Sequence, residues 1–541
     1  MRAQLRGERA EAVTARRLAI AAAMLGAIVI APLIAAGGED AGGAVRKPNI
    51  VLITTDDQTL ASLGVMDQVR DLLVDRGVSF TNNVASFPLC CPSRASWVTG
   101  QYAHNHGVVD NHERNGGGYE ALVEPSRVLP AWLDQAGYDT ALAGKWMHDY
   151  RTLDPAPGWD RFWALTSPTM VNYYDYELTD SRGGKRRYGE AAADYLTDVL
   201  TRDYALPFIR AHQTDSDPFF LHVSYTAPHW GRGRNDAAGR RCANGKPFAF
   251  ETARAKPAPR DAGAFGRARL PKPASFNEAD MSDKPGAVRG RERLDSEEVA
   301  ELTERYRCEL ASLLAVDRAV AEIAAALDDA GLERRTYVIF TSDNGYMHGE
   351  HRIRAEKVQP YEEALRVPLV IRGPAVPPAE RVHDPVTNVD LAPTILELAE
   401  VAVADGAARP LDGRSLAPYT YGRGDPARAI LIEAKRPPRK TASGTFVAPS
   451  WVGVRTRRYV YVEHLRAEVA SLEAGFGLPI GTGAVSDVEL YDLELDPSEL
   501  ESRHADPAYA ITRAALAGAV GELRRCEGDG CRLSLSVPPP G

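Results

Sequence analysis

Short apolar segments alternate with longer amphipathic segments over most of the chain, and this alternation constrains the fold more than any other feature. The apolar segments are partly β-branched and short enough for buried strands; they cover residues 49–55, 138–143, 218–226, 336–342 and 367–372. Helical patterns lie between them, at residues 67–76, 128–136, 190–211, 296–330 and 389–401. Strands that alternate with helices predict an α/β fold with a mostly parallel central sheet flanked by helices.

The pattern changes after about residue 405. Short strand patterns then follow one another, with a final helical pattern, at residues 429–432, 451–455, 459–463, 489–493 and 508–524. We therefore expect a larger domain over 47–404 and a smaller C-terminal α+β domain with an antiparallel sheet over 405–541. Residues 230–293 predict an irregular insertion in the larger domain, with fifteen Lys and Arg against seven Asp and Glu.

The N-terminus has the pattern of an export signal. Arginines are frequent in the first 17 residues, and an apolar run at 18–36 ends in small residues. A basic flank, an apolar core and small residues are typical of a signal peptide. The run is also long enough to span a bilayer, so an uncleaved anchor is the alternative. We expect residues 1–46 to be a signal peptide or anchor plus linker, and the protein to be secreted or extracytoplasmic.

Six cysteines give a second indication of the compartment. Cys526 and Cys531 predict a local disulfide in an oxidising compartment, and Cys242 and Cys308 are candidates for a second. The remaining pair, 90–91, is adjacent, and adjacent cysteines rarely bridge each other because the geometry is strained.

The net charge of −9 argues against a nucleic-acid partner.

Two polar pairs follow directly on two predicted strands. Asp56 and Asp57 follow the first strand, and Asp343 and Asn344 follow the strand at 336–342. In open α/β sheets, ligands bind beyond the carboxyl ends of the strands. Carboxylate and amide oxygens suit Ca²⁺ or Mg²⁺ rather than zinc. The alternative is that each pair caps a turn or a helix.

Residues 89–100 read Leu-Cys-Cys-Pro-Ser-Arg-Ala-Ser-Trp-Val-Thr-Gly. This segment resembles the sulfatase signature, which is Cys-x-Pro-Ser-Arg followed by a short helix and Thr-Gly. The chain resembles formylglycine-dependent sulfatases of the alkaline phosphatase superfamily from residue 47 to about 374, with a weaker similarity at 490–499. The resemblance implies that a formylglycine-generating enzyme oxidises Cys90 to formylglycine, and that Cys91 fills the variable position.

The resemblance also implies roles for residues outside the signature. The implied calcium ligands are Asp56, Asp57, Cys90, Asp343 and Asn344. The implied catalytic set is Cys90, Arg94, which holds the formylglycine, Lys145 and Lys357, which bind the sulfate group, and His229, near the leaving oxygen.

One position departs from the family pattern. Many sulfatases carry a histidine two residues after the first lysine, but this chain has Met147 there, followed by His148. Either His148 takes over the catalytic role, or that role is absent. His106, in His-Asn-His-Gly, is expected either to line the pocket or to be structural.

The implied mechanism follows from charge. One hydroxyl of the hydrated aldehyde at position 90 attacks sulfur, with the metal and a nearby base activating it. The metal, Arg94, Lys145 and Lys357 offset the developing negative charge. His229 is expected to protonate the leaving alcohol, since a histidine pKa suits proton transfer near neutrality. The second hydroxyl then expels sulfate and restores the aldehyde.

The substrate class follows from the same resemblance. The motifs most resemble the N-acetylglucosamine-6-sulfatase branch, which implies a sulfated glycan such as glucosamine 6-sulfate, or an aryl sulfate. The basic segment at 230–293 is either an aid to polyanion binding or a solvated loop. Two rival functions remain: a phosphate or phosphonate ester hydrolase of the same superfamily, and a non-catalytic sulfated-glycan-binding protein with unmodified Cys90.

Overall fold

A central sheet, a separate antiparallel sheet and the helices packed on them make up the described part of this computed structural model. It describes residues 46–541 apart from 181–183, 216, 232–252, 404–409, 436–438, 442–443, 447–449 and 467–482. The strands are β1 (Asn49–Asp56), β2 (Val78–Phe80), β3 (Asn83–Val84), β4 (Asp139–Gly144), β5 (Arg161–Ala164), β6 (Tyr176–Asp180), β7 (Gly184–Tyr188), β8 (Phe219–Pro228), β9 (Thr336–Ser342), β10 (Leu369–Arg372), β11 (Glu380–Val382), β12 (Val386–Thr387), β13 (Ile430–Ala434), β14 (Arg439–Thr441), β15 (Gly444–Phe446), β16 (Ser450–Arg455), β17 (Tyr459–Leu465) and β18 (Val485–Asp492). The α-helices are α1 (Asp67–Val69), α2 (Cys90–Thr99), α3 (Ala103–His106), α4 (Leu129–Gln135), α5 (Leu196–Val199), α6 (Leu206–Ala211), α7 (Gly286–Arg289), α8 (Ser296–Asp329), α9 (Glu362–Leu365), α10 (Leu391–Leu398) and α11 (Ala510–Leu523).

The central sheet has the strand order β11-β2-β10-β9-β1-β8-β4-β5. Its pairs are parallel except where β10 runs antiparallel to β9 and β2. Strands β1 and β8 are buried at every position, as parallel strands covered by helices on both faces require. The predicted mostly parallel sheet with flanking helices is confirmed.

The register of β1 places the two polar pairs at one edge. Thr55 lies beside Ser342 of β9, so the residues that follow both strands leave the sheet at the same point. On its other side, Thr54 lies beside Ser224 of β8, which in turn lies beside Gly144 at the end of β4. The carboxyl ends of four neighbouring strands therefore surround one site.

Side chains alternate along β1 between two apolar cores. Val51 and Ile53 belong to a core that includes the inner face of α8, whereas Ile50 and Leu52 belong to a core that includes α2 and α10.

The long helix α8 begins with a capping box, in which Asp295 and Glu298 satisfy each other's backbone N–H groups.

Two predicted helices have a different form. The one at 67–76 is divided into α1 and a π-helical segment at 70–74. The pattern at 190–211 predicts a continuous helix, but the structure divides it into a 3-10 turn at 192–194, α5, a π-helical segment at 200–205 and α6. Pro207 follows this π segment and lacks the N–H that a regular helix would donate there, which is a physical reason for the irregularity.

The C-terminal residues form an antiparallel sheet of order β13-β16-β17-β18, with α11 packed against it. This sheet and helix confirm the predicted α+β character. Cys526 and Cys531 form the predicted disulfide. Cys308 is disulfide-bonded, while Cys242 lies outside the described residues. Residues 46–541 form one compact unit, and the predicted boundary at 404 falls outside the described residues.

The described part of the basic insertion, residues 230–231 and 253–293, is irregular apart from α7 and short turns, and it is anchored to the rest of the fold. Leu270, Met281 and Val288 are buried. Arg254 pairs with Glu301 and Arg260 pairs with Asp198. Part of the positive charge of the insertion is thus balanced within the chain.

The predicted signal or anchor segment lies, up to residue 45, outside the described residues. Within the described ranges, no helix has the length and hydropathy needed to cross a bilayer.

His104 links α3 to the C-terminal sheet. Its Nδ1 lies 3.3 Å from Glu433 Oε2 in β13, and its Nε2 lies 2.9 Å from the carbonyl oxygen of Cys526. Burial opposes protonation of His104, but Glu433 outweighs it and raises the pKa to about 9. The charged imidazole therefore stabilises the folded state.

We predict that this link weakens as the solution becomes alkaline. The folded pKa lies above the unfolded value, so the stabilisation is complete below about pH 6.5 and is lost as the pH rises through 9. Urea unfolding at pH 6 and pH 10 should show a loss on the order of 3 kcal/mol that His104→Gln lacks. Parallel losses in the two proteins would show that His104 is not the source.

Candidate active site

Asp56 and Asp57 stand where β1 leaves the sheet. Asp56 is the last residue of the strand, and Asp57 has a φ of 66°, a left-handed conformation that Asp tolerates better than most residues. The backbone N–H of Asp57 donates to Asp343 Oδ1 at 3.1 Å, and Asn344 Nδ2 donates to Asp57 Oδ1 at 2.7 Å. The two predicted polar pairs thus contact each other directly and are almost fully buried.

The arrangement fits a hard divalent cation. Asp57 Oδ2 and Asn344 Oδ1 are buried and accept no hydrogen bond from any described residue. Ligand atoms of Asp56, Asp57, Cys90 and His229 lie within 4.8 Å of one another. Buried oxygens without donors are costly unless a cation or water satisfies them. An oxygen-rich set of this kind suits Ca²⁺ or Mg²⁺.

Arg94, on α2, is fully buried beside the carboxylates. Its Nε and Nη2 both donate to Asp343 Oδ2, at 3.0 and 2.9 Å. Its Nη1 donates to the carbonyl oxygen of Lys145 at 3.0 Å and to Ser224 Oγ at 2.8 Å. Burial disfavours the charge, but Asp343 and Asp56 outweigh it and raise the pKa of Arg94. Arg94 therefore fixes α2 to the ends of β4, β8 and β9.

Two lysines complete the positive set. Lys145 follows β4 and its Nζ contacts Asp56 Oδ2, while Lys357 Nζ contacts Asp57 Oδ1. Burial opposes both charges, but the facing carboxylates outweigh it, so the pKa of each lysine is raised. Burial likewise opposes ionisation of Asp56, yet Lys145 and the other nearby cationic groups hold its pKa well below the usual range. Lys145, Lys357 and Asp56 are therefore charged near neutral pH.

Cys90 lies between these charges. It is the first residue of α2, and its Sγ lies 3.4 Å from Asp56 Oδ1 and 2.9 Å from Lys357 Nζ. A helix N-terminus favours negative charge at this position. Burial, and next Asp56, nevertheless raise the pKa of the Cys90 thiol to about 12, so the unmodified thiol is protonated near neutral pH. Cys91 points into the apolar core instead.

His229 lies at the edge of the site, with Nε2 3.7 Å from Asp57 Oδ2 and Nδ1 2.6 Å from the carbonyl oxygen of Trp230. Burial lowers the pKa of His229 to about 4. The expectation that its pKa lies near neutrality is therefore wrong for this arrangement, because the sequence does not reveal how completely the ring is buried. The expectation that His229 donates a proton is supported only by its position beside Asp57.

His148 and His106, the two further histidines considered in the sequence analysis, have different environments. Met147 is fully buried in an apolar core, whereas the neighbouring His148 is partly exposed and electrostatically coupled to Lys145. His148, not Met147, thus faces the charged groups, and burial lowers its pKa well below the usual value. Both ring nitrogens of His106 are hydrogen-bonded, to Ser96 Oγ and to the N–H of Val108, each at 3.1 Å. Because both of its ring nitrogens are occupied within the fold, His106 has a structural role.

Sequence reasoning missed two polar residues that shape the site. Ser224 accepts a hydrogen bond from Arg94, and Asn111 Oδ1 accepts one from the N–H of Cys91 at 2.9 Å. Ser224 stands near the carboxyl end of the predicted strand 218–226, so its place along the strand was a usable signal. Asn111 lies in a loop that carries no such signal.

Comparisons with known proteins agree with this geometry. The sequence model described as Sulfatase matches residues 48–401, and the one described as N-sulphoglucosamine sulphohydrolase, C-terminal, matches residues 349–468. An arylsulfatase of Volvox carteri is 31% identical over 552 residues, which cover 97% of this chain and 80% of the relative. The human N-acetylglucosamine-6-sulfatase is 32% identical over 390 residues, which cover 70% of this chain and 65% of the relative.

A solved structure shares the fold over most of its length. It is described as a protein in complex with its substrate D-glucosamine-2-N,6-O-disulfate, and it superposes with a TM-score of 0.69 at 23% identity, covering 89% of this chain and 98% of that one. The chain belongs to the sulfatase family. It is a sulfuric ester hydrolase.

Arg94 offers a direct test of how the charges hold the site together. We predict that Arg94→Met destabilises the fold by about 3–5 kcal/mol, because the buried Asp343 would have to stay charged without its partner or take up a proton. Urea unfolding in calcium-free buffer measures this change.

A surface arginine provides the matched control. Arg70 pairs with Asp67 and Asp71 but its side chain is half exposed, so Arg70→Met should change the stability by less than about 1 kcal/mol. Equal effects of the two substitutions would contradict a structural role for the buried pair.

Proposed function

We propose that this chain hydrolyses 6-O-sulfate esters of glucosamine-containing glycans, with formylglycine at position 90 and a bound calcium ion. The observation that carries the proposal is the placement of Arg94, Lys145 and Lys357 against the carboxylates at the sheet edge beside Cys90, with Lys357 in direct contact with Cys90 Sγ. A sulfate ester needs a nucleophile at sulfur and cations on its oxygens, and both are supplied here by neighbouring side chains.

The residues that would hold the cation are Asp56, Asp57, Asp343, Asn344 and the modified residue 90. The oxygens of Asp57 and Asn344 that accept no hydrogen bond from the described residues support a hard ion, Ca²⁺ or alternatively Mg²⁺. When bound, such an ion neutralises sulfate oxygens and favours the ionised form of a nearby hydroxyl.

The charge balance explains why the occupied site would take an anion. Three carboxylates, Asp56, Asp57 and Asp343, face three cationic side chains. A divalent cation makes the set positive, and the negative charge of a sulfate ester reduces that excess. A buried site of this kind should bind a sulfate monoester in preference to an uncharged sugar.

Each cationic side chain has a distinct task in the proposal. Lys357 stands beside the reacting atom of residue 90, so its ammonium group stabilises negative charge on the sulfate oxygens. Lys145, which follows β4 and contacts Asp56, is proposed to stabilise the same negative charge from the other side of the site. Arg94 orients α2 and thus residue 90. His229 carries the proton for the leaving alcohol, and a bound anion nearby would raise its lowered pKa. His148 faces the same charges and is a further candidate for contact with the leaving group.

An unmodified thiol at position 90 has no second hydroxyl that could expel sulfate. The hydrate of formylglycine would offer one hydroxyl for attack on sulfur and a second to expel sulfate. The modification implies a formylglycine-generating enzyme as a partner during maturation. The high pKa of the buried thiol supports the proposal, since a protonated thiol is a poor nucleophile.

The substrate class rests on three kinds of support. The motifs resemble those of the glucosamine-6-sulfatase branch, and the human relative is named N-acetylglucosamine-6-sulfatase. The substrate of the solved neighbour is a sulfated glucosamine. Small aryl sulfates should also react, since the Volvox relative is named an arylsulfatase. The export pattern at 1–46 and the disulfide between Cys526 and Cys531 support a secreted or extracytoplasmic location, with an N-terminal anchor as the alternative.

We predict that the mature protein releases sulfate from glucosamine 6-sulfate and from an aryl sulfate. Lys357→Met and Asp57→Asn should lower kcat/KM about 10²–10³-fold, because each removes a charge that acts on the sulfate oxygens or holds the cation. Calcium chelation should abolish activity, and added Ca²⁺ should restore it. Released sulfate is measured by ion chromatography.

Lys185→Met is the matched control, since Lys185 is an exposed lysine that pairs only with Glu177 among the contacts described for it. Its activity should equal that of the unaltered protein. Faster cleavage of an aryl phosphate than of the matched aryl sulfate would favour the phosphatase alternative instead. Tight glycan binding without turnover by modified protein would favour the binding-protein alternative.

A further inference from the structure

A second cluster of metal-ligating side chains lies away from Cys90. Ligand atoms of His351, Glu363 and Glu499 lie within 4.8 Å of one another. His351 and Glu499 are buried, with 0% and 1% of their surface exposed, and Glu363 is largely buried. The cluster shares no residue with the site at Asp56 and Asp57.

His351 presents one nitrogen to the cluster. Its Nδ1 lies 2.7 Å from Glu278 Oε2, and Lys284 Nζ lies 3.2 Å from the other oxygen of Glu278. A carboxylate at Nδ1 fixes the tautomer that carries its proton there and leaves a lone pair on Nε2. Within the described part of the chain, His351 Nε2 has no hydrogen-bond partner. This is the arrangement of a histidine that ligates a metal.

Each glutamate is held by one oxygen. Glu499 Oε2 accepts from the N–H of Glu362 at 3.0 Å, and Glu363 Oε1 accepts from Ser275 Oγ at 3.4 Å. The second oxygens, Glu499 Oε1 and Glu363 Oε2, are buried and receive no hydrogen bond from any residue that the structure describes. Each of the three side chains is thus held through one atom, and its second ligand atom has no hydrogen-bond partner among the described residues.

The two carboxylates also repel each other. Their ligand oxygens lie within 4.8 Å of each other, and both side chains are largely buried. A buried pair of this kind needs either a shared proton or a cation.

We propose that His351, Glu363 and Glu499 bind a zinc-type divalent ion, separate from the calcium proposed for the active site. One imidazole nitrogen and two carboxylate oxygens suit Zn²⁺ better than Ca²⁺, which prefers oxygen alone. Three protein ligands and one water complete a four-coordinate shell. Glu278 acts as the partner that orients the histidine ligand.

The position of the ion gives it a structural task. His351 and Glu363 flank Lys357 in the sequence, and Glu499 follows β18 of the C-terminal sheet. An ion bound to all three would hold the segment that carries Lys357 against the C-terminal residues. Metal binding of this kind stabilises the folded state, because the ligands converge only there.

The test measures bound zinc in the full-length protein. We predict that protein stripped with a chelator and dialysed against Zn²⁺ with excess Ca²⁺ retains one zinc per chain by elemental mass spectrometry. His351→Gln and Glu499→Gln should each lose that equivalent. His348→Gln should keep it, since His348 is a buried histidine of the same segment that pairs with Glu309 outside the cluster. Zinc should also raise the melting temperature of the unaltered protein and of His348→Gln, but not that of His351→Gln.

Two results would overturn the proposal. One is the absence of retained zinc in the unaltered protein. The other is zinc that survives in Glu499→Gln but is lost in Asp57→Asn, which would place the ion in the active site. X-ray absorption at the zinc edge of the unaltered protein adds a test that needs no variant: a shell without an imidazole, or with a sulfur ligand, contradicts the assignment. Because His229 would also supply one imidazole in the active site, the same spectrum must persist in Asp57→Asn for the assignment to stand.

Discussion

The parallel pairing of β1 with β9 is the constraint on which the rest of the site depends. It brings Asp56 and Asp57 beside Asp343 and Asn344, so that three carboxylates share one buried edge. Isolated buried charges cost far more than a fold can tolerate, so the structure must place cations against them. The three cations come from different parts of the chain: from α2, from the end of β4 and from the loop before α9.

This requirement explains why the C-terminal sheet matters to the site. Trp451 Nε1 donates to the carbonyl oxygen of Val358 at 3.2 Å, and Arg455 pairs with Glu362 at 3.0 Å. Both contacts hold the segment that presents Lys357. The active site of this sulfatase is therefore built on the central sheet, and β16 of the C-terminal sheet supports the segment that carries Lys357.

Much of this could be predicted from the sequence. The strand 336–342 has the bounds that its apolar run predicts, and the polar pairs after two parallel strands were expected at one edge of the sheet. Their contact depends on the adjacency of β1 and β9, which the structure shows. The antiparallel direction of β10 could not be predicted, because an apolar run has no direction. The approach of Lys357 to Cys90 could not be derived from periodicity either, since these residues are far apart in sequence, and it was expected only from the family resemblance. The lowered pKa of His229 depends on burial of the ring, and the cluster at His351 depends on packing between residues far apart in sequence. Neither can be predicted from a single sequence.

The measurement that tests the central claim most directly is peptide mass spectrometry across Cys90, on protein produced in its own host. If the charges around this residue serve a formylglycine nucleophile, the peptide should weigh about 18 Da less than the encoded cysteine form, the difference between a thiol and an aldehyde side chain. A peptide that retains the thiol in active protein would contradict the account, because a buried, protonated Cys90 offers no second hydroxyl to release sulfate.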